Sequence, residues 1–172
     1  MTTYCIDIGH NCPPDTGAVG IKAEDYLVRE VGERVIARLI AIGHTCVRCL
    51  PIQARSPMDS LRQRAYLANA NNVDVVVSIH FNASASKLGK GAVTFYISNA
   101  GLKLASAVNN KLVKLGFVNR GPKYGTWYLL RNTKAPAILI EVAFCDNADD
   151  MKLLDKVGLD AIANAIVAGL VD

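Results

Sequence analysis

Two short apolar runs constrain the fold more than any other feature of the sequence. Residues 73–79 read Val-Asp-Val-Val-Val-Ser-Ile, and residues 137–142 read Ala-Ile-Leu-Ile-Glu-Val. A nearly continuous apolar run of this length is typical of a strand that is covered on both faces, as in a parallel sheet between layers of helices. The chain is therefore predicted to be an α/β protein.

The segments around these runs alternate between strand and helix patterns. Together with the two runs, strands are predicted at 3–8, 44–50 and 91–97. Apolar residues at helical spacing predict helices at 24–43, 56–71 and 101–115, and a closing helical region after Asn147. We expect one domain, 1–172, with a twisted, mostly parallel (mixed) sheet of about six strands and helices on both faces.

The distribution of charge narrows the classes of partner. The net charge is +4, and the Lys and Arg residues are scattered, so no footprint for nucleic acid stands out. Charged residues interrupt every apolar stretch well before a bilayer-spanning length, so no membrane insertion is expected. A mildly basic, compact chain is compatible with an anionic polymer as partner, and we expect a monomer.

The five cysteines allow two interpretations. Their number is odd, and Cys5, Cys46 and Cys145 lie in apolar, strand-like surroundings, so reduced, packed thiols are expected. Cys46-Val47-Arg48-Cys49 is also a C-x-x-C motif, which elsewhere indicates a redox pair or half of a zinc site. Residues three apart on a strand face opposite sides, which favours the first interpretation. Two readily modified thiols of low pKa would favour the second.

Three residues at the ends of predicted elements could bind a metal. His10 follows the first strand, Glu24 begins the first helix, and His80 ends the 73–79 strand. Two imidazoles and one carboxylate leave a fourth position open, as in catalytic zinc sites. Each residue alone has a simpler explanation, because histidines at strand ends are often structural and acids are favoured in a first helical turn.

Glu141 is more informative, because it places a carboxylate within a buried apolar strand. A carboxylate in that position must be neutral, paired or bound to a metal to be tolerated. A functional role is therefore favoured for Glu141.

Three segments resemble the signatures of a known family. Residues 6–10 (Ile-Asp-Ile-Gly-His), 78–83 (Ser-Ile-His-Phe-Asn-Ala) and 136–141 (Pro-Ala-Ile-Leu-Ile-Glu) are similar to those of the zinc-dependent N-acetylmuramoyl-L-alanine amidases of type 3. Glu24 stands at the start of its helix, much as the ligand glutamate of that family does. Asn11-Cys12-Pro13-Pro14 departs from the family pattern, which usually has small glycines after the first histidine.

The resemblance implies roles for individual residues. It implies one zinc ion per chain, bound by His10, Glu24 and His80, with Glu141 as the catalytic acid and base. It implies hydrolysis of the amide bond between the lactyl group of N-acetylmuramic acid and L-alanine, with peptidoglycan as partner. Asn82 and Arg131 resemble positions that contact substrate, although a turn-capping Asn and a solvated Arg explain them equally well.

Two other functions remain open at this point. The same metal site would serve a zinc peptidase or an acylamino-acid amidohydrolase on small substrates, and a chain with an inactive site would be a wall-binding module. No basic region leads into a long apolar segment at the N-terminus, so no secretory signal is expected. A wall enzyme of this kind is then expected to be a phage-type lysin made in the host cytoplasm, or a domain cut from a longer secreted parent.

Overall fold

The computed structural model describes residues 1–172 and contains six strands and six helices. In chain order they are β1 (Thr3–Ile8), α1 (Glu24–Ala41), β2 (Thr45–Arg48), α2 (Pro57–Ala70), β3 (Val75–Asn82), β4 (Ala92–Tyr96), α3 (Asn99–Lys114), β5 (Asn119–Tyr124), α4 (Tyr128–Asn132), β6 (Ala137–Phe144), α5 (Ala148–Val157) and α6 (Leu159–Leu170).

All six strands form one mixed sheet, in the order β2-β1-β3-β6-β4-β5. The four strands β2, β1, β3 and β6 are parallel to one another. Strand β4 pairs antiparallel with β6 and parallel with β5, so the last two strands run in the opposite direction. The predicted fold class is confirmed, and the carboxyl ends of β1, β3 and β6 meet at one edge, where open α/β sheets bind ligands.

Helices cover both faces of the sheet, as predicted. On one face, side chains from α1, α3, α5 and α6 join the larger hydrophobic cluster of 29 buried residues. On the other face, α2 and α4 contribute to a smaller cluster of 10. None of the six helices combines the length and the apolar character needed to cross a membrane. Helices α2 and α4 leave a cleft on this sheet face, near the carboxyl ends of β1, β3 and β6.

Several predicted boundaries were wrong. Strand β3 continues to Asn82, so His80 lies inside it rather than at its end, and a register shift follows between His80 and Asn82. The closing helical region is two helices, separated at Gly158, whose φ of +81° is a conformation that favours glycine. Strand β5 and helix α4 were not assigned from the sequence at all.

The expectation that all cysteines are reduced was also wrong, because Cys5 and Cys49 form a disulfide. Cys49 follows β2 directly, and its N–H donates to the carbonyl of Ile6, which continues the pairing with β1. Its Cα therefore lies 6.1 Å from that of Cys5, although 44 residues separate the two in sequence. Cys46 is a free thiol whose pKa is raised by burial, so the C-x-x-C motif does not form a redox pair.

Candidate functional site

His10, Glu24 and His80 converge at the carboxyl edge of the sheet. One potential ligand atom from each residue lies within 4.8 Å of the other two. Glu24 Oε1 is 3.2 Å from His80 Nδ1 and 3.5 Å from His10 Nε2. The two imidazole rings are nearly perpendicular, at 87°, with centroids 4.9 Å apart. The structure thus brings together the three residues that the sequence analysis grouped.

A left-handed turn positions His10. Both His10 and Asn11 have positive φ angles, of 53° and 58°, which non-glycine residues rarely adopt and which Asn tolerates best. The Asn11 side-chain amide stabilises the turn by donating to the carbonyls of Gly9 (3.0 Å) and Asp25 (2.9 Å). Asn11 therefore supports a turn where a glycine is usual in the family that the sequence resembles.

Glu24 is buried and tied to the loop before it and to β3. Its Oε2 accepts from the Ala18 N–H at 2.9 Å, and its Oε1 accepts from the Phe81 N–H at 3.1 Å. Burial alone would raise the pKa of Glu24, but its contacts with His10 and His80 outweigh that effect and hold the pKa well below its usual range. Glu24 is therefore a carboxylate that faces two imidazoles, and its contacts go beyond those of an acid that stabilises a helix start.

A network of buried charged residues contacts His10 on the side that faces away from Glu24 and fixes its orientation. His10 Nδ1 lies 2.9 Å from Asp15 Oδ1, which leaves Nε2 facing Glu24. The Arg64 side chain is only 1% exposed, and its guanidinium donates to Asp7 at 2.5 Å and to the carbonyls of Ile8 and His10. It also lies 3.5 Å from Asp15. Burial lowers the pKa of His10, but the contacts with Asp15 and Glu24 outweigh it and raise the pKa to about 10.

Glu141 lies beside His80, because the two residues are directly paired between β3 and β6. Its Oε2 is buried and has no hydrogen-bond partner. Burial, opposed by the nearby histidines, raises the pKa of Glu141 to about 7. A carboxyl group with such a pKa exchanges protons readily near neutral pH, as a general acid or base must.

These side chains line a cleft of about 390 Å³. Its floor is the sheet face that carries Asp7, Ser78, His80 and Glu141, and its walls come from the N-terminal ends of α2 and α4. Asn82 lines the cleft, where its Oδ1 accepts from the Ala83 N–H. Arg131 does not line it and is exposed in the last turn of α4, so a substrate contact for Arg131 stays a prediction.

Sequence reasoning missed other residues of the site. Trp127 and Tyr128 form part of the cleft wall, and Asp15 and Arg64 support His10. Asp7 has the same sequence signal as Glu141, namely a carboxylate between apolar residues of a strand, but it was not among the predicted site residues. No sequence pattern marked Asp15 or Trp127.

The three converging residues fit a metal ion chemically. Two imidazoles and one carboxylate are the ligand types that zinc prefers, and Asp15 would orient His10 through the ring nitrogen that faces away from the site. Their ligand atoms are mutually close, and three protein ligands leave room for a water molecule or a substrate atom.

A mixed α/β sheet that brings two imidazoles and two carboxylates to its carboxyl edge has the features of a metal-dependent hydrolase site. The particular family follows from comparison. The model of the N-acetylmuramoyl-L-alanine amidase family matches residues 5–172, and the chain belongs to that family.

Individual relatives agree with this assignment. N-acetylmuramoyl-L-alanine amidase LytC of Bacillus subtilis is 34% identical over 98% of this chain, which covers 35% of LytC. The endolysin of Bacillus phage SPP1 is 33% identical over 95% of this chain, which covers 61% of that protein. The chain thus spans less than two thirds of the length of each.

Solved structures give the same result for the fold. The catalytic domain of the CD27L endolysin, which targets Clostridia difficile, superposes with a TM-score of 0.90 at 30% identity. The match covers 99% of this chain and 97% of that domain. The catalytic domain of the amidase CwlV from Bacillus (Paenibacillus) polymyxa has a TM-score of 0.85 at 29% identity, with 99% and 96% covered.

Proposed function

We propose that this chain hydrolyses the amide bond between the lactyl group of N-acetylmuramic acid and L-alanine in peptidoglycan, with zinc bound by His10, Glu24 and His80. One observation carries the proposal. The three potential ligands converge in a cleft beside Glu141, whose buried Oε2 has no partner within the protein. The family assignment supplies the bond that is cut.

The residues of the cleft have distinct roles in this reaction. A zinc ion, when bound, polarises the amide carbonyl and lowers the pKa of water. Glu141 accepts the proton of the water that attacks the carbonyl carbon, and then transfers a proton to the leaving nitrogen of L-alanine. Asp15 holds His10 in a single orientation, and Asn82 is placed to donate to a carbonyl of the substrate.

The proposed roles separate metal binding from proton transfer, so two variants test them. Glu141→Ala is expected to abolish hydrolysis of purified peptidoglycan and to leave the zinc content near one ion per chain. His80→Ala is expected to lose both activity and zinc. The measurements are elemental analysis of the purified proteins and identification of the new termini in digested peptidoglycan. Normal activity of the Glu141 variant would refute the mechanism.

The same digestion tests the other functions. Release of stem peptides with free N-terminal L-alanine identifies the proposed amidase. Faster turnover of simple peptides or acylamino acids would identify a small-substrate hydrolase instead. Binding to peptidoglycan without release of any peptide would identify a wall-binding module. We further propose that the chain acts on the bacterial cell wall as a monomer.

A further inference from the structure

An aromatic hollow lies next to the cleft, and the proposed function does not use it. It has a volume of about 240 Å³ and is lined by Phe95, Gly125, Thr126 and Trp127. We call the depression formed by these four residues the aromatic hollow. Trp127 also lines the cleft that contains Glu141, so the two depressions share one wall. A ligand bound in the cleft can therefore extend into the aromatic hollow without leaving the surface.

Trp127 is held in place although half of it faces solvent. Its ring packs edge-on against Phe95, with centroids 5.5 Å apart and an angle of 71°. A Cβ atom at Gly125 would lie only 3.1 Å from Trp127 Cδ1 and Nε1, so the glycine lets the indole lie directly against the backbone. The residue is 49% exposed, and its Nε1 makes no hydrogen bond within the protein. The indole thus offers a fixed apolar face and a free N–H donor.

The chemistry of the aromatic hollow favours a sugar over a peptide. None of its four lining residues is charged, so the aromatic hollow offers no counter-charge to the carboxylates of a peptidoglycan stem peptide. A pyranose ring presents a face of C–H groups that packs on an indole, and its hydroxyl and N-acetyl groups accept from N–H and O–H donors. Trp127 Nε1 and the Thr126 hydroxyl are such donors.

We propose that the aromatic hollow binds an N-acetylated sugar of the glycan strand, with the pyranose ring stacked on Trp127. The inference rests on the proposed function, because it takes the cleft as the place where the muramoyl amide is cut. It adds that the enzyme recognises the glycan beside that amide, and that Trp127 orients the polymer across the cleft.

The chain contains one tryptophan, so fluorescence that is excited where its six tyrosines hardly absorb reports on Trp127 alone. The binding experiment uses the Glu141→Gln protein and needs no hydrolysis, so a failure of the proposed function does not affect it. The probes are the tetramer of N-acetylglucosamine and the dipeptide L-alanyl-γ-D-glutamate. We expect a saturable blue shift with the sugar and none with the dipeptide. No shift with the sugar, or an equal shift with the dipeptide at the same concentration, would overturn the proposal.

A kinetic experiment tests the same proposal on the active enzyme. Trp127→Ala is expected to raise the KM for polymeric peptidoglycan by about tenfold with little change in kcat, as for loss of one aromatic stacking contact. Trp127→Phe is expected to recover most of the loss. The matched control is Tyr124→Ala, because Tyr124 is an exposed aromatic residue that packs on Tyr96, at the opposite face of β4 from Phe95. An unchanged KM in a Trp127→Ala protein with normal zinc content and circular dichroism would refute the role of Trp127.

Discussion

Replacing Glu141 with glutamine should remove a pH-dependent penalty on the stability of the metal-free protein. Burial raises the pKa of Glu141 from 4.5 to about 7 in the folded state. The sign follows from linkage, because a folded-state pKa above the unfolded value means that the unfolded chain releases this proton first. The contribution of Glu141 to stability is therefore full below pH 4.5 and is lost as the pH rises to about 7.

The size of the effect follows from the same shift. A rise of the pKa from 4.5 to about 7 corresponds to about 3 kcal/mol of folding free energy. That is a substantial share of the roughly 5–15 kcal/mol by which most domains are stable. Glutamine resembles the protonated carboxyl group but does not titrate, so its own cost of burial is the same at every pH. The readout is therefore how the difference in free energy of unfolding between the two proteins changes with pH.

The assay is urea unfolding of both proteins after removal of metal by a chelator, at pH 5 and at pH 8. We expect the free energy of unfolding of the variant, relative to that of the native protein, to be about 2–3 kcal/mol higher at pH 8 than at pH 5. The stabilising contribution of His10 is also lost as the pH rises, between 6.5 and about 10, because its pKa is raised to about 10. His10 is present in both proteins, so this contribution cancels to first order in the difference between their free energies of unfolding. Glu33→Gln is the control, because the Glu33 side chain is 40% exposed. A difference that stays constant from pH 5 to pH 8 would refute the argument.

Three further variants test the support around the site. Asp15→Asn is expected to weaken zinc affinity about 10- to 100-fold by loosening His10, as measured by competition with a chelator, and unchanged affinity would contradict this. Arg64→Met is expected to cost about 3–5 kcal/mol in urea unfolding, because it leaves Asp7 buried without its cation, and a loss under about 1 kcal/mol would count against it. Gly9→Ala is expected to destabilise by about 1–3 kcal/mol and to lower zinc occupancy, since the new Cβ would lie 2.5 Å from His80 Cε1, and a normal metal content would refute the predicted displacement.

The central strands and their polar residues were predictable for one physical reason. A strand covered on both faces is almost wholly apolar, so a charged or histidine side chain near its end stands out, as Glu141 and His80 did. The outer strand β5 carries no such signal. Its sequence, Asn-Arg-Gly-Pro-Lys-Tyr, is largely exposed, and its pairing depends on neighbouring strands rather than on its own pattern.

The supporting residues depend on contacts between distant segments, which periodicity does not encode. An arginine in a helix is expected to face solvent. Arg64 is nevertheless buried, because α2 packs its polar side against the carboxyl end of β1. Trp127 directly precedes α4, a helix of only five residues that is too short to show a repeat. The bond between Cys5 and Cys49 depends on the pairing of β1 with β2, and cysteine counting alone does not reveal it.

The position of the three proposed ligands along the chain has a consequence for local order. His10 and Glu24 lie at the two ends of one irregular loop, and His80 lies on the central strand β3. An ion shared by all three would close the loop into a ring and attach it to a central strand of the sheet. Ring closure lowers the entropy of the open chain in the way that a covalent cross-link does. In the proposed site the metal therefore also acts as a cross-link that orders the loop. Its removal should increase amide hydrogen exchange first between residues 10 and 24.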